Sequence, residues 1–191
     1  NGAQNNTFLD SSTNNFTITR NGNTTQGSFS PYGNLWSNYF DGASPYDYLS
    51  WTNPVASYPP QLSFLNDTTS SGTIEAWVFP TVYTSAGSGV FQKPPIITVG
   101  DTYFGLLIDT TGVLRFYWWT GSTNNIDTTT GTVPLNTWTH VAATKSGSQI
   151  KLYINGQLSG SGTYATWAWS TGSGGQTIQI GFHQPNSTAT P

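Results

Sequence analysis

The chain has 191 residues, with five Lys or Arg against eight Asp or Glu and a formal net charge of −3. Only 7% of its residues are charged, against roughly 25% in an ordinary soluble domain, and five basic residues are too few for the electrostatic footprint of a nucleic-acid binder. The absence of Cys excludes disulfides, zinc ribbons and thiol chemistry, and the scarcity of Glu, Met, Lys and Arg argues against long helices.

Ser, Thr and Asn supply 68 residues, and aromatics 15%, including eight Trp. Disordered chains usually combine few aromatics with high net charge, so this one is expected to fold. A chain of this length buries roughly 70% of its unfolded surface, enough for one core without disulfides. No apolar run approaches the roughly 18 residues of a membrane span. The chain opens Asn1-Gly2-Ala3-Gln4 and closes Ala189-Thr190-Pro191, and both ends read as cuts inside a longer polypeptide. A surface solubilised by hydroxyls and amides suits an extracellular or virion-exposed protein.

In chain order, short alternating or aromatic-rich runs predict strands over residues 16–20, 47–51, 73–79, 103–109, 113–119, 139–145, 149–155 and 177–182. Gly-containing turn signals punctuate them, the pattern of an all-β sandwich or barrel. Residues 66–72, 84–89 and 120–132 read as loops, as does Ser159-Gly160-Ser161-Gly162. Asp109-Thr110-Thr111-Gly112 is expected to turn one hairpin. Asn155-Gly156 supplies the positive-φ positions of a type I′ turn in another. Nothing divides the chain in two, so residues 1–191 read as one domain, with 1–38 as a lead-in.

Period-2 alternation assigns faces. Leu114, Phe116 and Trp118 share the core side of one strand, and Arg115, Tyr117 and Trp119 the outward side. Ile150, Leu152 and Ile154 point inward, with Lys151 and Tyr153 outward. Residues 74–79 are apolar on both faces, which predicts a central strand covered on each side.

Several runs resemble a known family. Tyr39-Phe40-Asp41-Gly42 with Asp47-Tyr48-Leu49 is similar to the entry of laminin-G-like, concanavalin A-like jelly rolls. Thr73-Ile74-Glu75-Ala76-Trp77-Val78 is similar to their next strand. Trp138-Thr139-His140-Val141-Ala142, then Leu152-Tyr153-Ile154-Asn155-Gly156 and Ile178-Gln179-Ile180-Gly181, follow in the family's order. Phe8-Leu9-Asp10 and Phe16-Thr17-Ile18-Thr19-Arg20-Asn21-Gly22 resemble the lead-in of such modules in marine phage and bacterial surface proteins. The resemblance implies an all-β, two-sheet antiparallel jelly-roll sandwich. It also implies a closing strand of the type G-Y-I-D-E-V-R-I, which this sequence lacks before Pro191: either that strand is cut away, or an N-terminal segment replaces it, or a neighbouring copy donates one, and an edge left unpaired would invite association.

Catalysis is weighed first, because glucanases share the architecture. A retaining glycosidase needs two carboxylates about 5 Å apart. The laminarinase motif E-x-D-x-x-E is absent: Glu75, the sole glutamate, is followed by Ala76-Trp77-Val78-Phe79-Pro80. No Gly-x-Ser-x-Gly elbow occurs either. His140 reads as part of a structural strand, and His183 as a rim residue. Related jelly rolls often carry a rim calcium, which takes six to eight oxygen ligands. Asp67, Asp101, Asp109 and Asp127 are the loop carboxylates for such a role. They are isolated in sequence, so no ligand set is assigned; calcium stays open as a cofactor and no other is implied.

Carbohydrate contact has more support, because sugar C–H faces stack on aromatic rings and sugar hydroxyls pair with amides, carboxylates and guanidinium groups. The candidates are Arg115, Tyr117 and Trp119, the neighbouring Asn125 and Asp127, and Tyr164, Trp167 and Trp169 in a Gly/Ser/Thr-rich stretch. The leading expectation is a non-catalytic adhesion or carbohydrate-binding module of a virion appendage or large secreted protein. Its partner would be a glycan or cell-surface polysaccharide, with no nucleic acid and no membrane insertion. The competing expectation is a structural repeat that assembles into a fibre, shell or array through edge contacts, as a homo-oligomer or beside tandem modules.

Overall fold

The structure, a computed structural model, describes residues 6–33, 35–41, 47–52, 60–65, 67–83, 95–99, 104–120, 122–165 and 177–181. In chain order they form β1 (Thr19–Asn21), β2 (Thr25–Gly27), β3 (Ser37–Tyr39), β4 (Tyr48–Thr52), a 3-10 helix (Pro60–Leu65), β5 (Ser71–Val78), β6 (Pro95–Val99) and β7 (Phe104–Ile108). Then follow β8 (Leu114–Trp119), β9 (Thr123–Asp127), β10 (Thr139–Ser146), β11 (Gln149–Ile154), β12 (Gln157–Thr163) and β13 (Thr177–Ile180). No helix among the described residues is long and apolar enough to cross a membrane.

The chain forms the expected two-sheet antiparallel sandwich. One sheet has seven strands in the order β1-β4-β13-β6-β7-β8-β9, the other four in the order β12-β11-β10-β5, and β2 and β3 make a separate ribbon. Two hairpins follow the sequence reading. The β7–β8 turn closes with Asp109 N–H donating to the Val113 carbonyl at 2.8 Å and Gly112 at φ 83°. The β11–β12 turn uses Asn155 and Gly156, both at positive φ, as a type I′ turn requires.

The core lies between the sheets. Phe104, Leu106, Ile108, Leu114, Phe116, Trp118 and Ile126 face Val141, Ala143, Ile150 and Leu152, and Leu62 and Leu65 of the 3-10 helix complete the cluster. Its aromatic members pack ring to ring, Phe104 on Phe116 at 5.0 Å between centroids and Phe116 on Trp118 at 6.0 Å.

Three expectations need correction. Residues 123–127 and 157–163 are strands β9 and β12, not loops. They are Thr/Asn- and Ser/Gly-rich, and what makes them strands is pairing: β9 along β8, β12 along β11. The two also meet each other. Thr129 and Thr130 N–H both donate to the Ser159 carbonyl, at 2.8 and 3.1 Å, and so bind the margins of the two sheets together. Gly160 permits the approach, since a Cβ there would stand 2.5 Å from the Asp127 carbonyl oxygen. Third, among the described residues β5 stands at the edge of its sheet, beside β10, and not in its centre. Its outward apolar side chains are covered by the lead-in instead: Phe29 packs edge-on against Phe79 at 4.7 Å and Tyr32 against Trp77 at 5.7 Å.

At the opposite end of the core, Lys145 is only 2% exposed. Burial lowers its pKa, as it does for any ammonium taken from water. It stays paired by donating to the Ser70 carbonyl at 2.9 Å, lying 4.0 Å from Asp67 Oδ1 and 5.5 Å over the Tyr164 ring. Asp67 in turn accepts from Thr69 N–H at 2.7 Å and from Ser70 N–H and Oγ–H at 2.5 and 2.6 Å. The Ser70 donors, then Thr69, hold its carboxyl well below the usual carboxylate range.

Two outcomes follow. Gly160→Ala is expected to cost about 1–3 kcal/mol through overpacking at a tight approach, whereas Gly27→Ala, with nothing within 4 Å of its added Cβ, should change the urea midpoint little. Because the folded state depresses the Asp67 pKa, its stabilisation is present above the unfolded value of about 3.9 and lost as pH falls below it. The melting temperature of Asp67→Ala should therefore lie below wild type at pH 7, with the gap closing as the pH drops through 4 to 2 in thermal scans (about two units of titration).

Candidate functional site

Strands β8 and β9 bring most of the predicted cluster together on the outward face of the seven-stranded sheet. Their register sets Arg115 opposite Asp127, Tyr117 opposite Asn125 and Trp119 opposite Thr123, and directly opposed residues share a face. Arg115 grips Asp127 with two parallel bonds, Nε to Oδ1 and Nη2 to Oδ2, both 2.6 Å. Asp109 Oδ2 lies 3.8 Å from the same Nη2. The bond to Asp127 is the main reason the guanidinium pKa is raised still further. This closed fork fixes the head of Arg115 and leaves Nη1 uncommitted among the described residues. Trp119 is half-buried and Asn125 exposed. Asn124 is held locally, donating to Thr120 Oγ1 at 2.8 Å and the Ser122 carbonyl at 3.0 Å.

Two members of the predicted cluster are corrected. Tyr117 is only 3% exposed. Its ring lies across Gly105 on β7, in the space that a Cβ at that position would occupy, so it cannot offer a face to a ligand. Tyr164 is 1% exposed. It sits in the core against Trp118, with 5.1 Å between ring centroids, and its hydroxyl donates to the Leu65 carbonyl at 2.6 Å. Trp167, Trp169, His183 and Asp101 lie outside the described residues.

A second aromatic surface was not anticipated. On the outward face of the four-stranded sheet, Trp77 is 39% exposed, and its ring lies 5.4 Å from that of His140 directly across the ladder. His140 Nε2 is 3.3 Å from Glu75 Oε2, on a side chain 64% exposed. The alternation Glu75, Trp77, Phe79 carried this signal. Reading β5 as a covered central strand hid it.

The acids are largely spent on local structure. Asp109 Oδ1 accepts from Thr111 N–H, Thr111 Oγ1 and Val113 N–H. Asp127 is bound on both oxygens by Arg115, and Asp47 accepts from Asn23 and Asp41 N–H. Among the described residues, no three His, Asp or Glu side chains stand together as a metal group.

Residues 54–191 match the profile of a family described as the concanavalin A-like lectin/glucanases superfamily, of laminin-G type. No curated protein sequence matches. Among solved structures, the binding domain of botulinum neurotoxin serotype C1 superposes with a TM-score of 0.64 at 17% identity, over 97% of this chain and 42% of that one. The binding domain of botulinum neurotoxin DC, solved in complex with SialylT, superposes at 0.62 with 16% identity, over 94% and 42% of the two chains. Domain 4 of AbnA, an extracellular arabinanase of Geobacillus stearothermophilus solved with arabinotriose, superposes at 0.55 with 19% identity, over 91% and 79%. The chain thus spans less than half the length of the toxin binding domains that it resembles, and these likenesses establish the fold.

Proposed function

The chain belongs to the laminin-G-like family of the concanavalin A-like lectin/glucanases superfamily, and from that premise we propose that it is a non-catalytic carbohydrate-binding module. The observation that carries this reading is the β8–β9 edge. Along one face of β8 and β9 run a half-buried indole, Trp119, then diagonally from it the exposed amide of Asn125, and, four residues before Trp119, a guanidinium whose orientation is fixed by Asp127. A sugar ring laid on Trp119 would find the Asn125 amide for its hydroxyls, and the next ring along the strand the N–H groups of Arg115 Nη1. Two structural relatives were solved with SialylT and with arabinotriose, which supports a glycan as the ligand class.

Two rival readings are weaker. Glycoside hydrolysis needs one carboxyl free to give a proton and another free to attack or to activate water. Here Asp127 is saturated by Arg115, and Asp109 is engaged in its turn. Assembly by strand sharing needs an open edge; the bonds to Ser159 tie the β9 and β12 edges to each other, so such a contact would have to use β1 or β5. The charge-poor, hydroxyl- and amide-rich composition fits an exposed module of a larger secreted or virion-surface protein that adheres through glycans.

On a glycan array, Trp119→Ala is expected to weaken the principal ligand at least about tenfold, equal to about 1.4 kcal/mol, with an unchanged near-ultraviolet circular dichroism spectrum. Undiminished binding by Trp119→Ala, with loss in Trp77→Ala, would move the site to the opposite sheet.

A further inference from the structure

A second cavity lies far from the β8–β9 edge. Its volume is about 370 Å³, at the lower end of the roughly 300–1,000 Å³ typical of small-molecule sites. Leu49, Trp51 and Ile180 form one wall. Ile180 pairs with Leu49, and Ile178 with Trp51, so these side chains share a face of the sheet. That face carries the core, since Ile178 belongs to the core cluster and Trp51 packs against it. The lead-in forms the other wall, with Phe16 stacked near-parallel on Trp51 at 6.1 Å and 25°.

The rim is polar and preset. Asp10 closes the loop around the mouth, accepting from Ser12 N–H and Oγ at 2.8 Å each and from Phe16 N–H at 2.9 Å. Gln26 and Asn38 lie directly opposite each other on the β2–β3 ribbon, and both line the cavity. Neither side-chain amide has a hydrogen-bond partner among the described residues. Among the described lining residues, Asp10 carries the one charged side chain.

We propose that this cavity is a second ligand site, which takes one ring of a neutral sugar. The chemistry follows from the lining. Apolar and aromatic walls suit the C–H faces of a ring. Two free amides give paired donors and acceptors for vicinal hydroxyls. With a carboxylate and no basic side chain among the described lining residues, the charge at the mouth disfavours uronates and sialic acids. The described lining residues other than Ile180 precede residue 54, where the family match begins, so the site is built largely outside the stretch that carries the family pattern. It is independent of Trp119, and either site can fail without the other.

The test uses the full chain carrying Trp119→Ala, on an array of neutral oligosaccharides each beside its sialylated counterpart. The expected result is residual binding to a neutral member, at least tenfold weaker for the sialylated form. That binding should be lost on adding Gln26→Ala and Asn38→Ala. Hydrogen exchange with the neutral sugar should slow in residues 10–18, which reads occupancy without relying on the variants. No neutral-sugar binding by the Trp119→Ala chain, no protection of residues 10–18, or equal binding of the sialylated form would each overturn the proposal. Weakening of the principal ligand in Trp119→Ala that leaves this neutral-sugar binding in place supports two separate sites.

Discussion

Apolar contact between the inner faces of two antiparallel sheets is the constraint on which the rest depends. The chain has no disulfide and few ion pairs to help it. Phe104, Phe116 and Trp118 on one side and Val141, Ile150 and Leu152 on the other must bury enough surface to hold the sandwich. Non-directional packing of this kind fixes that the sheets meet, while directional bonds fix where. The Ser159 carbonyl sets the sheets' mutual position at one margin. The buried Tyr164 hydroxyl on Leu65, with the Lys145 ammonium on Ser70, anchors the 3-10 helix and the start of β5 at the other.

A protein with seven aspartates and one glutamate uses them sparingly. Asp10, Asp67 and Asp109 each gather several donors within their own turn. Buried Asp47 ties Asn23 and Asp41 together across the lead-in. Asp127 aims Arg115. In a loop-rich sandwich such carboxylates substitute for the regular backbone pairing that loops lack.

Much of this was legible in the sequence, and the failures have physical causes. Alternation placed Leu114, Phe116 and Trp118 in the core, and Asn155-Gly156 marked its turn, because both signals are local. Strands β9 and β12 were hidden because Thr, Asn, Ser and Gly form strands only when a neighbour supplies the ladder. The burial of Tyr117 depends on Gly105, one strand away, and that of Tyr164 on Leu65, far back in the chain. Strand β5 read as central because apolar side chains on both faces usually mean two covered faces. Here the second cover is thin: Phe29 and Tyr32 remain more than half exposed while lying on it. The β8–β9 cluster was legible as a set of residue types, but the closure of Arg115 on Asp127 became visible only with the cross-strand register.

The larger sheet overhangs the smaller, and the lead-in roofs the overhang. Strand β4 sits between β1 and β13, while the stretch that carries the recognisable family pattern begins two residues after β4 ends. A fragment trimmed to that pattern would strip β13 of one neighbour and uncover Ile178 and Ile180 along a raw strand edge, the usual starting point of intermolecular pairing. The stretch with the family pattern thus meets what precedes it along the hydrogen-bonded β4–β13 ladder.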